Sequence, residues 1–111
     1  MLVAFSVAPQ AGDSLAGAVA AAVRVVRESG LPNRTDAMFT TVEGSWDEVM
    51  DVVRRATEAV GQHAGPAARL SLVLKADIRP GRSGELQGKV DRLEAAVVEA
   101  APGPTSAPGA P

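Results

Sequence analysis

The sequence predicts an α+β sandwich: a four-stranded antiparallel sheet, two helices on one of its faces, and an additional helix at the C-terminal end. Three observations predict it. Small and apolar residues alternate at period two in residues 2–8 and again in 69–78. Two long segments between them carry the 3.6-residue period, with start and stop signals. The resulting order is β-α-β-β-α-β-α, whose first six elements match the split βαβ, ferredoxin-like arrangement.

Residues 2–8, LVAFSVA, set Val3, Phe5 and Val7 against Ala4 and Ser6, and Pro9 and Gly12 end that strand. Asp13 or Ser14 can cap the first helix. Its apolar stripe is expected at Leu15, Val19, Val23 or Ala22, and Val26, with Gly30 and Pro32 closing it. Residues 33–44, NRTDAMFTTVEG, are threonine-rich and extended. They are expected to form two short strands with a turn near Asp36 and Ala37, although no Gly or Pro lies inside the turn, and a single bent strand is the alternative. Ser45 and Glu48 form an S-x-x-E capping box. Trp46, Val49, Met50, Val53 and Val60 follow as the stripe of the second helix, with an Asp51–Arg55 pair on its wet face. Residues 69–78, RLSLVLKADI, set Leu70, Leu72, Leu74, Ala76 and Ile78 against Ser71, Val73, Lys75 and Asp77. After Arg79-Pro80-Gly81 a last helix places Leu86, Val90, Leu93 and Val97 on one face, and Gly88 weakens its first turns. Residues 1–101 form one domain on this reading. Residues 102–111, PGPTSAPGAP, offer no large apolar side chain and are expected to be a disordered tail.

Composition excludes several functions. The 111 residues contain no cysteine and one histidine, His63, so neither a thiolate site nor a multi-histidine metal cage forms within one chain. Eleven basic and thirteen acidic residues leave a net charge of −2, without the basic surplus of a nucleic-acid binder. Phe5, Phe39 and Trp46 are too few for a base-stacking platform. Residues 15–26 are too short and too interrupted to span a bilayer, and residues 1–8 lack a charged leader, so a cytoplasmic protein without membrane insertion is expected. No G-x-S-x-G, phosphate-binding loop or Ser/His/Asp arrangement is present. The GRSG run at 81–84 reads as a turn, and His63 as a solvated helix-end residue.

Two helices cover only one face of four strands. The other is expected to carry Ala4, Ser6, Ser71, Val73, Lys75 and either Thr40 or Thr41. That mixed surface suits a partner subunit with space for a small ligand, or partial cover by the third helix. Glu43 lies at even spacing from Phe39 and just before Trp46. A carboxylate beside a ring can hold a flat cation. Equally, Trp46 can be core and Glu43 a helix-start charge. Asn33 and Thr35 add short polar groups suited to an aminopyrimidine edge.

Four runs carry a resemblance: LVAFSVAP (2–9), RESGLP (27–32), MFTTVEGSWDEVM (38–50) and KADIRPG (75–81). They are similar to the thiamine-binding protein family, and the block from Glu43 to Val49 is the most specific part. The resemblance implies a ferredoxin-like subunit that assembles as a homodimer or homotetramer. It implies binding of thiamine or its hydroxymethylpyrimidine part near subunit contacts, without catalysis and without a metal or other cofactor. Thr40, Glu43 and Gly44 match the family's T-x-x-E-G run, Met38 the position before it, and Ser6 a small residue of the first strand. The ligand site is then expected at Ser6, Asn33, Thr35, Met38, Phe39, Thr40, Glu43 and Trp46, with Glu43 facing the cation. A structural or regulatory oligomer with another ligand or none is the alternative. An acylphosphatase-like enzyme needs an Arg and Asn cradle that the spacing of Asn33, Arg34 and Arg79 does not supply.

Overall fold

The computed structural model describes residues 1–10 and 15–100. The expected caps at Asp13 or Ser14 and the tail at 102–111 lie outside the described residues. The elements are β1 (Leu2–Pro9), α1 (Leu15–Glu28), β2 (Asn33–Thr35), β3 (Thr40–Glu43), α2 (Trp46–Ala64), β4 (Leu70–Asp77) and α3 (Glu85–Ala100). The sheet order is β2-β3-β1-β4, and every neighbouring pair is antiparallel. The β2–β3 hairpin thus inserts β3 between β1 and β2, as the split βαβ order requires. Residues 33–44 form two strands, as expected.

Alternation in β1 decides the faces. Val3, Phe5 and Val7 are buried, while Leu2, Ala4, Ser6 and Ala8 are half-buried. Phe5 stands opposite Thr40 and Leu74, so Thr40 belongs to the helix-covered face. Ala4 stands opposite Thr41 and Lys75, so Thr41 is the threonine of the other face. The core joins Val3, Phe5, Val7 and Val42 of the sheet to Ala18, Ala22 and Val26 of α1 and to Val49, Val52, Val53, Ala56 and Val60 of α2. Burying each valine contributes on the order of 2 kcal/mol.

Two expected stripes need correction, and a third lies on the expected face but is left open. In α1 the buried ridge is Ala18, Ala22 and Val26, whereas Leu15 and Val19 are exposed. The i, i+4, i+8 row of Ala18, Ala22 and Val26 is the ridge that packs into the common core with the sheet and α2. In α2, Trp46 is 56% exposed rather than core. It is the first helical residue and lies beside Met1, Ile78 and Pro80, beyond the area that α1 covers. In β4 the face is as expected, with Leu72 opposite Val7 and Leu74 opposite Phe5. Yet β4 is an edge strand and α2 packs mainly on β1, so Leu72 remains 45% exposed.

The last helix departs furthest. Only Leu86 of the expected face is half-buried, and Leu93 and Val97 are exposed. The first turn of α3 is instead docked by polar contacts. Glu43 Oε2 accepts the Glu85 N–H at 2.7 Å, and Oε1 accepts the Leu86 N–H at 3.2 Å. Arg34 donates to Gln87 at 2.9 Å, and Lys89 pairs with Asp77 at 2.6 Å. These contacts tie α3 across β2, β3 and β4 on the sheet face away from α1 and α2, leaving its later turns without apolar cover among the described residues.

Candidate functional site

The site begins at a turn. Asp36 N–H donates to the Phe39 carbonyl at 2.9 Å. Its Oδ1 accepts the N–H of Met38 at 2.8 Å and of Phe39 at 2.9 Å. A short side-chain acceptor closing its own turn replaces the missing Gly or Pro. The same bonds, that from Phe39 first, hold the Asp36 carboxyl below the usual aspartate range, so an anion is fixed at the hairpin tip.

Behind the turn lies a cleft of about 130 Å³ between the hairpin, β1 and α1. Phe5, Ser6 and Val7 line one side, Val19, Ala22 and Val23 another, and residues 35–40 the third. β3 begins only at Thr40, opposite Phe5, so the edge of β1 beyond Phe5 has no β3 partner. Ser6 and Val7 of this stretch line the cleft. Thr35 and Thr40 place their hydroxyls 3.3 Å apart on the hairpin wall. Val19, misplaced by the expected stripe, is instead a cleft wall. The arrangement combines an anion, two hydroxyls, a free strand edge and the half-buried Phe39 ring. It suits a small, flat, partly cationic group. The single histidine lies in the last turn of α2 and does not line the cleft.

The structure brings Ser6, Thr35, Met38, Phe39 and Thr40 together on this cleft. Ser6 lines it between Phe5 and Val7, although alternation puts its side chain on the other face of the sheet. Met38 is exposed at the rim. Asn33, Glu43 and Trp46 are elsewhere. Asn33 turns its amide to the Leu31 carbonyl at 2.9 Å. Glu43 has both oxygens engaged by α3 and is 7% exposed. Trp46 stands at the opposite end of the sheet, near Arg79. Asp36 was not among the expected site residues, since strand parity puts it on the opposite side from Phe39 unless a turn intervenes. Its position at the head of a turn without glycine was the available signal.

No described helix is long and apolar enough to cross a membrane. Among the described residues no three His, Asp or Glu side chains gather to hold a metal.

Comparison with known proteins places these features in context. The family of thiamine-binding proteins matches residues 3–94. The chain is 53% identical over 96 residues to UPF0045 protein Mb1933 of Mycobacterium bovis, covering 85% of this chain and 91% of that protein. Its fold is similar to that of hypothetical protein MJ1052 of Methanocaldococcus jannascii, with a TM-score of 0.73, 26% identity, and coverage of 84% and 94% of the two chains. A Thermotoga maritima protein described as a candidate in thiamine biosynthesis or salvage aligns with a TM-score of 0.65 and 26% identity, covering 83% of this chain and 96% of its own.

Proposed function

The chain belongs to the thiamine-binding protein family, and from that premise we propose that it is a non-catalytic cytoplasmic protein that binds thiamine, or its hydroxymethylpyrimidine part, in the cleft under the β2–β3 turn. The observation that carries the reading is the convergence of Ser6, Thr35, Met38, Phe39 and Thr40 with the Asp36 carboxylate on one cleft. Thiamine joins an aminopyrimidine to a thiazolium cation. The threonine hydroxyls and the free edge of β1 match the hydrogen-bonding edge of the first ring, and Asp36 matches the positive charge. At about 130 Å³ the cleft seats one ring. Sites that enclose a drug-sized ligand run to roughly 300–1,000 Å³. The Asp36 carboxylate takes the cation-facing role first given to Glu43. Isothermal titration of the full chain with thiamine and with hydroxymethylpyrimidine tests this. Saturable binding at up to one ligand per chain is expected, and a flat titration with both from a folded sample overturns it.

Self-association as a homodimer or homotetramer belongs to the same proposal. Val73 on the sheet face away from α1 and α2, and Leu93, Val97 and Val98 on α3, are more than half exposed. Surface of this kind is commonly covered by a second copy. Light scattering is expected to give a mass above one chain, reduced in a Leu93→Ser/Val97→Ser variant. A single-chain mass at tens of micromolar concentration overturns it.

A further inference from the structure

The cleft does not end at α1. Val19, Val23 and Thr35 line it on one side and also line a second, larger depression of about 690 Å³ that runs along the helix. The far part of that depression is formed by Ala16, Ala20, Arg24, Arg27 and Glu28. Both arginines are exposed, and neither makes an ion pair or side-chain hydrogen bond among the described residues. By contrast, Arg54, Arg55 and Arg92 are each held by carboxylates. Two guanidinium groups against the single carboxylate of Glu28 leave this depression net positive.

The two charges lie at opposite ends of one surface. The chain reverses between α1 and β2, so the hairpin tip at Asp36 lies toward the beginning of α1 and the arginines lie toward its end. At about 1.5 Å of rise per residue, Arg27 stands roughly 12 Å beyond Val19 and 6 Å beyond Val23. A cleft that seats the pyrimidine ring leaves the thiazolium at its rim beside Asp36 and its alcohol arm free to run along this depression.

Resting on the thiamine reading, we propose that the site selects the phosphorylated ligand. The ring cation sits by Asp36, and a phosphate ester on the alcohol arm lies against Arg24 and Arg27. Guanidinium groups suit that task because they present paired donors in a plane and stay charged at any physiological pH. Their place near the C-terminal end of α1 also favours the helix dipole, but that role does not require them to line a depression shared with the cleft.

The test titrates the full chain with thiamine, thiamine monophosphate, thiamine diphosphate and inorganic phosphate. The esters are expected to bind about tenfold more tightly than thiamine, the size of one charge-assisted contact. The advantage shrinks as salt is raised. Arg24→Gln/Arg27→Gln removes the preference for the esters, and thiamine, which lacks the phosphate, serves as the internal control. An unchanged melting temperature shows that the variant folds. Thiamine binding with no gain for either ester overturns the inference and leaves the thiamine reading standing. An ester preference that survives the double variant also overturns it. Inorganic phosphate that binds as tightly as the esters makes the arginines a general anion patch and overturns it as well. Failure of thiamine and both esters to bind overturns the thiamine reading itself.

Discussion

Asp36 and Glu43 show how local context separates two carboxylates in one hairpin. Asp36 heads a turn, accepts two backbone N–H groups and remains at the surface. Glu43 ends β3, is buried, and accepts two N–H groups from a helix 42 and 43 residues away. Asp36→Asn keeps an oxygen for the turn and removes the charge. Thiamine affinity is therefore expected to fall about tenfold with little change in melting temperature, read by titration and thermal unfolding. A melting temperature that collapses would assign Asp36 a structural role instead. Gly44 belongs to the same scale. A Cβ there would lie 3.3 Å from Glu48 Cβ and from Val49 Cγ1, so glycine lets the end of β3 lie against the first turn of α2.

At the scale of elements, the two later helices are started by different means. α2 carries its own signal. Ser45 N–H donates to Glu48 Oε1 at 2.9 Å, and Glu48 N–H donates back to Ser45 Oγ at 3.2 Å. Ser45→Ala is expected to cost about 1 kcal/mol and to lower the melting temperature by roughly 4–8 °C. α3 is started from outside, by Glu43 across the sheet. In Glu43→Gln the charge is lost, one N–H keeps a neutral amide oxygen and the other loses its acceptor. Amide exchange at Glu85 and Leu86 is expected to quicken about tenfold while Val52 and Val53 stay protected. Unchanged exchange at Glu85 and Leu86 would show that the Arg34 and Lys89 contacts suffice to hold the helix. The capping box and the period of α2 are legible in the sequence because they are local. The acceptor for α3 is not, because its partner is more than forty residues away.

At the scale of the whole molecule, acid stability follows from carboxylates held below their ordinary range. Asp36 is held by backbone N–H groups, Glu48 by the Ser45 N–H and hydroxyl, Asp51 chiefly by Arg54, Asp77 by Lys89 and Glu85 by Arg92. A lowered folded pKa means that the unfolded chain binds protons first as pH falls. The contribution is complete above about pH 5 and is lost as pH drops through 4 and below. Melting temperatures measured from pH 7 to pH 3 are expected to be level down to about pH 5 and then to fall, with α3 released early because Asp77 holds Lys89 of that helix to β4. A level profile to pH 3 would show that these bonds contribute nothing to stability.

The sequence by itself determined the order of elements, the alternation of β1, the two-strand reading of the hairpin and the cap of α2. Each of these rests on residues within a few positions of one another, where propensity and spacing act directly. It also carried the family resemblance, through the runs from LVAFSVAP to KADIRPG. Only the tertiary structure decided that Ala18, Ala22 and Val26 are the buried ridge of α1 while Val19 is left exposed at the cleft, because which side of an apolar helix is covered depends on what packs against it. Only the register put Thr40 on the helix-covered face and Thr41 on the other. The engagement of Glu43 by α3, which left Asp36 as the carboxylate of the cleft, was likewise beyond local reading. A carboxylate goes to whichever donors the fold brings within reach, and those donors came from the far end of the chain.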